Sequence, residues 1–213
     1  MSKYDWERGT IKIPSNQYTA LKKVVRDRHN ALQQARYETL CKVYNSVVSY
    51  MKGKRGVKPS ELLHEWVYGW NSTTKPSNFP KLEDWNIWDH NLLFKGRERK
   101  WTAPKKNMFP LATSSTKQFD CGGEAGIIFD DKNRTVTWWV SENNRAVERA
   151  HDNPLAIVFF NALDRIKWTS RTGGQIIGND EYNRDADYAG GGGNYITMEY
   201  GTGKPLRRRM IRR

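Results

Sequence analysis

Between Tyr18 and Met51 the apolar residues Tyr18, Leu21, Val25, Leu32, Leu40, Val43, Val47 and Met51 recur at three- and four-residue steps. That spacing puts them on one stripe of a helix. Ser15 or Asn16 can cap its start, and Gly53 is a natural stop. A helix of about 36 residues exceeds the usual three or four turns, so Arg28-His29-Asn30 is read as a kink or a break into two helices. Its outer face carries Lys22, Lys23, Arg26 and Lys42. Ahead of it, Ile11-Lys12-Ile13-Pro14 reads as an edge strand ended by proline. Behind it, Pro59 fits the first position of a short helix, where its missing N–H costs nothing. That helix runs through Leu62, Leu63, Trp66 and Val67 and ends near Gly69.

Residues 71–116 show no period and are rich in Ser, Thr, Asn and Pro, with Trp85, Trp88 and Trp101 among them. Trp85, Ile87 and Trp88 are expected to pack on the core. From residue 117 the pattern turns to strands. Residues 124–129 and 134–140 flank Asp130-Asp131-Lys132-Asn133 as a hairpin. Alternation places Val136, Trp138 and Val140 on one face and Thr135, Thr137 and Trp139 on the other. One of the adjacent tryptophans therefore faces a second layer or a partner. Residues 116–119 can add a strand, and Ser141 can cap a helix to about Ala150. Pro154 and the apolar stripe Leu155, Val158, Phe159, Ala162, Leu163 and Ile166 predict another helix. Residues 167–170 read as a strand, Arg171–Gly174 as a turn, and 175–178 and 195–200 as further strands.

The pattern predicts an α+β protein. A helical part covers 1–70, a Trp- and Pro-rich connection 71–116, an antiparallel sheet with one or two helices 117–203, and a basic tail 204–213.

Composition narrows the class. The 213 residues hold 36 Lys and Arg against 23 Asp and Glu, a net charge of +13. Mean hydropathy is −0.85. The Trp, Tyr and Phe content (9, 10 and 7) still supplies large buriable units, so a core is expected rather than disorder. No apolar run approaches the roughly 18 residues of a membrane span, and the first residues show no signal-peptide pattern. Cys41 and Cys121 form no CxxC, which argues against a zinc site or a disulfide framework. The expectation is a soluble, cytoplasmic, basic protein with no cofactor, no metal and no membrane partner.

The charge is concentrated in three islands. Between 15 and 56, nine basic residues, among them Lys22, Lys23, Arg26, Lys54 and Arg55, face only Asp27 and Glu38. Between 93 and 106, Lys95, Arg97, Arg99, Lys100, Lys105 and Lys106 face only Glu98 and surround Trp101. The tail holds Lys204, Arg207, Arg208, Arg209, Arg212 and Arg213 with no acid. Charges this close build a potential that attracts polyanions, and an aromatic among them can stack on a base.

Catalytic patterns fail on inspection. His64-Glu65 is followed by Tyr68 where a zinc-protease motif needs His. Gly201-Thr-Gly-Lys-Pro has Met198 and Pro205 where a phosphate loop needs Gly and Ser or Thr. Arg171-Thr-Gly-Gly could nest an anion or simply turn a hairpin. Asp180, Glu181, Asp185 and Asp187 are the one acidic cluster and could hold Mg²⁺ for phosphodiester cleavage; an acidic loop beside a basic surface is the simpler reading. The sequence therefore points first to a non-enzymatic DNA- or RNA-binding protein. It would grip backbone phosphates through the residues named above, with Trp101 and Trp139 stacking or packing at the contact. The alternatives are a protein-binding subunit or inhibitor docking on nucleic-acid-processing machinery, and a metal-dependent nuclease using the 180–187 carboxylates.

Overall fold

The structure, a computed structural model, describes residues 4–69, 72–81, 87–97, 99–122, 124–143, 154–163, 165–166, 174–179 and 195–200. The architecture is α+β, with a long N-terminal helix and antiparallel sheets. It divides into two compact units. One comprises residues 1–29 with 112–213, the other residues 30–111. The boundaries fall inside the long helix and near the end of the Trp-rich connection, so the helix's first turns group with the C-terminal sheet.

That helix, α1 (Ser15–Met51), runs unbroken for 37 residues through Arg28-His29-Asn30. It spans about 55 Å and contains no Gly or Pro to interrupt it. Its burial nevertheless comes in two blocks. Tyr18, Leu21 and Val25 are buried in the first unit, and Leu40, Val43 and Val47 in the second. Leu32, between them, is only half-buried.

Among the described residues of the first unit the strands are β1 (Tyr4–Lys12), β4 (Gln118–Gly122), β5 (Glu124–Asp130), β6 (Thr135–Asn143), β7 (Gly174–Asn179) and β8 (Tyr195–Tyr200). They form one antiparallel sheet in the order β4-β5-β6-β1-β7-β8. The N-terminal strand is thus central, not the expected edge. Pro14 lies past its end, so the missing N–H interrupts no ladder bond. The helix expected from Ser141 does not start there, because β6 continues to pair with β1 out to Asn143 opposite Tyr4. Residues 144–150 lie outside the described ones, as do the predicted strand at 167–170 and the turn at 171–173.

One face of this sheet buries Ile11, Phe119, Ile127, Phe129, Val136 and Trp138. Tyr18 and His29 of α1 meet Phe129 and Phe119 edge-on, at 5.7 and 5.6 Å between ring centroids. Helix α3 (Pro154–Leu163) begins at Pro154 as expected and lays Phe159 against Trp138 at 5.5 Å. The other face carries Thr10, hydrogen-bonded to Thr137, together with Ile128 and the half-buried Trp139.

Among its described residues the second unit comprises the rest of α1, α2 (Pro59–Tyr68), a two-stranded hairpin, β2 (Phe94–Lys95) with β3 (Lys100–Trp101), and short 3-10 turns at Ile87–Leu93 and Lys106–Met108. Its core is Leu40, Val43, Val47, Leu62, Leu63, Trp66, Val67, Phe79, Leu93 and Phe109. Trp66 is fully buried, donates from Nε1 to Thr74 Oγ1 at 2.8 Å, and meets Tyr50 and Phe79 edge-on. The connection lacks a period because single large side chains anchor it, rather than a repeating face. Arg36 closes the core by a two-bonded pair with the buried Asp89 (2.6 and 2.9 Å) and by lying over the Phe109 ring. Trp88 does not pack inward as expected: it is 67% exposed on the 3-10 turn Ile87–Leu93. Trp85 and the side chain of Ile87 are not among the described residues.

Candidate nucleic-acid interface

The basic run at 95–106 forms the β2–β3 hairpin and the segment after it. Gly96 (φ +72°) and Arg99 (φ +48°) take left-handed conformations, and the Arg99 N–H donates to the Gly96 carbonyl at 3.1 Å, closing a tight turn. A non-glycine residue pays roughly 1–2 kcal/mol for that conformation, offset here by the Arg99 guanidinium lying 4.8 Å over the Phe94 ring. At the base, Phe94 sits opposite Trp101. Trp101 stacks on Tyr44 of α1 at 5.2 Å and 13°, and Thr102 N–H bonds to Leu93 O at 2.8 Å. The base is therefore fixed on the core, and the tip presents Lys95, Arg97, Arg99 and Lys100 to solvent. Lys95 and Lys100 face each other in register. Lys105 and Lys106 are exposed just beyond.

Trp101 itself is less suited to a base than its position in the run suggested. One ring face is taken by Tyr44, Phe94 tilts against it, and its Nε1 is buried with no acceptor among the described residues.

The first island splits. Lys52, Lys54 and Arg55 are exposed where α1 ends, with Lys54 Nζ 3.3 Å above the Tyr50 ring. Lys22, Lys23 and Arg26 near its start are engaged instead. Lys22 is buried, and its Nζ donates to both oxygens of Asp131 at 2.8 and 2.9 Å, while Tyr18 donates to Asp131 Oδ1 at 2.8 Å. The bond from Lys22 holds the Asp131 carboxyl below the usual range, and burial, reinforced by the bond to Asp131, raises the Tyr18 phenol. Lys23 and Arg26 both pair with Asp27, whose carboxyl the Lys23 bond lowers. Sequence spacing did not reveal the Lys22 partner, because Asp131 lies 109 residues away.

Counted by unit, residues 30–111 hold 14 Lys and Arg against seven Asp and Glu. The first unit without residues 204–213 holds 16 of each. The excess charge outside the tail thus belongs wholly to the second unit.

Arg171, Lys204, Arg207, Arg208, Arg209, Arg212 and Arg213 lie outside the described residues, as do Asp180, Glu181, Asp185 and Asp187. Among the described residues no group of three or more His, Cys, Asp or Glu is placed to hold a metal ion, and no helix is long and apolar enough to cross a membrane. A residue the sequence did not single out is Lys81, which joins Lys42 around a polar cleft; standing alone in an aperiodic stretch, it gives no local signal. Comparison of the chain with protein families, curated proteins and solved structures finds no match.

Proposed function

We propose that this chain binds nucleic acid without cleaving it, holding the phosphate backbone through its second unit, with the basic tail adding further contacts. The observation that carries this is the β2–β3 tip: exposed Lys95, Arg97, Arg99 and Lys100 on a hairpin whose base is fixed by Trp101, Tyr44 and Phe94. Lys105, Lys106, Lys54 and Arg55 are further exposed cations of the same unit, whereas Lys22, Lys23 and Arg26 serve ion pairs within the first unit. Such a grip reads backbone rather than sequence. The test is binding to single- and double-stranded DNA and RNA across a salt series. Duplex affinity should fall with a slope of about −0.9 per phosphate neutralised. Replacing Arg97, Arg99 and Lys100 by Ala should flatten that slope and weaken all sequences alike, and removing 204–213 should do the same. Absence of salt-dependent binding to all four ligands overturns the reading.

A second reading, a protein-docking subunit of nucleic-acid machinery, draws on Trp88. A tryptophan 67% exposed, one turn from the exposed Leu92, has the character of an interface anchor. Its signature is stoichiometric co-elution with a protein that survives nuclease treatment and is lost in Trp88→Ala.

A further inference from the structure

We propose that the cleft between α1 and the Pro76–Lys81 turn is a binding site for the phosphate ester of a sugar. It lies wholly within the second unit and does not depend on the hairpin. The cleft holds about 560 Å³, a volume suited to a nucleotide-sized group. One wall is a polar stripe of α1, with Glu38, Thr39 and Lys42 on adjoining turns; the other presents Ser77, Asn78 and Lys81.

Three features make it a built site. The second wall is rigid: Phe79 N–H bonds to Pro76 O at 3.0 Å, and the buried Phe79 ring packs edge-on against Trp66 at 5.3 Å. Pro76 and Pro80 fix the backbone on either side. Both ammonium groups are available, since Lys42 and Lys81 are exposed and neither forms an ion pair among the described residues. Thr39, Ser77 and Asn78 add neutral donors. Among the described residues Glu38 is the one acid in the lining, held by Gln34 Nε2 at 2.7 Å. A carboxylate there opposes a bare polyanion but accepts from a hydroxyl, so the lining suits a phosphate joined to a sugar better than free phosphate. That chemistry is shared by a free nucleotide and by one unit of a strand's backbone.

The test is an amide-resonance titration of the full chain with inorganic phosphate, with a 5′-ribonucleoside monophosphate and with a short single-stranded RNA. The monophosphate should shift Thr39, Lys42, Asn78 and Lys81 saturably, and inorganic phosphate should do so more weakly. Lys42→Met with Lys81→Met should weaken the monophosphate at least about tenfold, while Lys42→Arg with Lys81→Arg, which keeps both charges, should retain it. Shifts of the same amides with RNA identify backbone phosphate as the source; shifts with the monophosphate alone identify a free nucleotide. The proposal is overturned if none of the three ligands moves these amides, or if sodium chloride at equal ionic strength moves them as far. Failure here with intact RNA binding that Arg97→Ala, Arg99→Ala and Lys100→Ala abolish would leave the hairpin reading standing. Monophosphate binding without salt-dependent binding to single- or double-stranded DNA or RNA would sink that reading and keep this one.

Discussion

Trp138 lies across Gly9 on the neighbouring strand so closely that a β-carbon on Gly9 would fall 2.0 Å from the indole Cζ2. The next residue repeats the device on the opposite face and the opposite neighbour: Trp139 covers Gly126, where a β-carbon would fall 2.4 Å from its Cζ2. The two glycines let adjacent tryptophans lie along the sheet. The consequences of filling them differ because Trp138 is buried against Phe159, whereas Trp139 is half-buried on the face away from the helices. Gly9→Ala should cost about 2–3 kcal/mol by overpacking. Gly126→Ala should cost less, about 1 kcal/mol, since Trp139 is only half-buried and can shift toward solvent. Urea denaturation of both variants checks the ranking.

The bonds among Lys22, Tyr18 and Asp131 predict a pH signature. The folded-state carboxyl of Asp131 is lowered, so its contribution is present above the ordinary aspartate value near 4 and is lost as pH falls through the lower folded value. Asp131→Asn should cost about 1–3 kcal/mol at neutral pH, toward the lower end because the carboxylate is 46% exposed. The stability difference from wild type should shrink as thermal melts are taken below about pH 4.

Arg36 and Asp89 should respond unequally to mutation. Asp89 is buried to 5% exposure while Arg36 reaches solvent. Arg36→Met leaves a buried carboxylate unpaired and should cost about 3–5 kcal/mol; Asp89→Asn leaves a guanidinium that water can reach and should cost less. Denaturant midpoints of the two single variants decide it.

Within the first basic island, stability and binding should separate by residue. Lys22→Met should lower the melting temperature and leave nucleic-acid affinity within about twofold, because the ammonium is committed to Asp131. Lys54→Ala with Arg55→Ala should leave the melting temperature nearly unchanged and reduce the magnitude of the salt slope by up to about two. Calorimetry and a salt titration on the same preparations make the comparison.

Trp101 separates packing from stacking on a base. Trp101→Phe keeps much of the contact with Tyr44 and removes a buried donor that has no acceptor among the described residues, so its cost should stay below about 1.5 kcal/mol. Trp101→Ala should cost about 3–5 kcal/mol. An affinity loss in Trp101→Phe as large as in Trp101→Ala would return the indole to the binding surface.

What the chain determines by itself is local. The three- and four-residue spacing from Tyr18 to Met51, Pro59 and Pro154 at helix starts, and the alternation around Asp130–Asn133 marked α1, α2, α3 and the β5–β6 hairpin, because each signal lies within a few residues of the element it makes. The charge islands were equally visible. Tertiary structure decided what depends on distant partners. It made β1 central, since its ladder neighbours lie more than a hundred residues away. It left α1 unbroken while dividing its buried residues between two cores. It turned Trp88 outward, stacked Trp101 on Tyr44, and spent the charge of Lys22 on Asp131 while leaving Lys95 and Arg97 in solvent. Whether a lysine is a binding group or part of an ion pair depends on which carboxylate folding brings within about 3 Å, and no spacing along the chain encodes that distance.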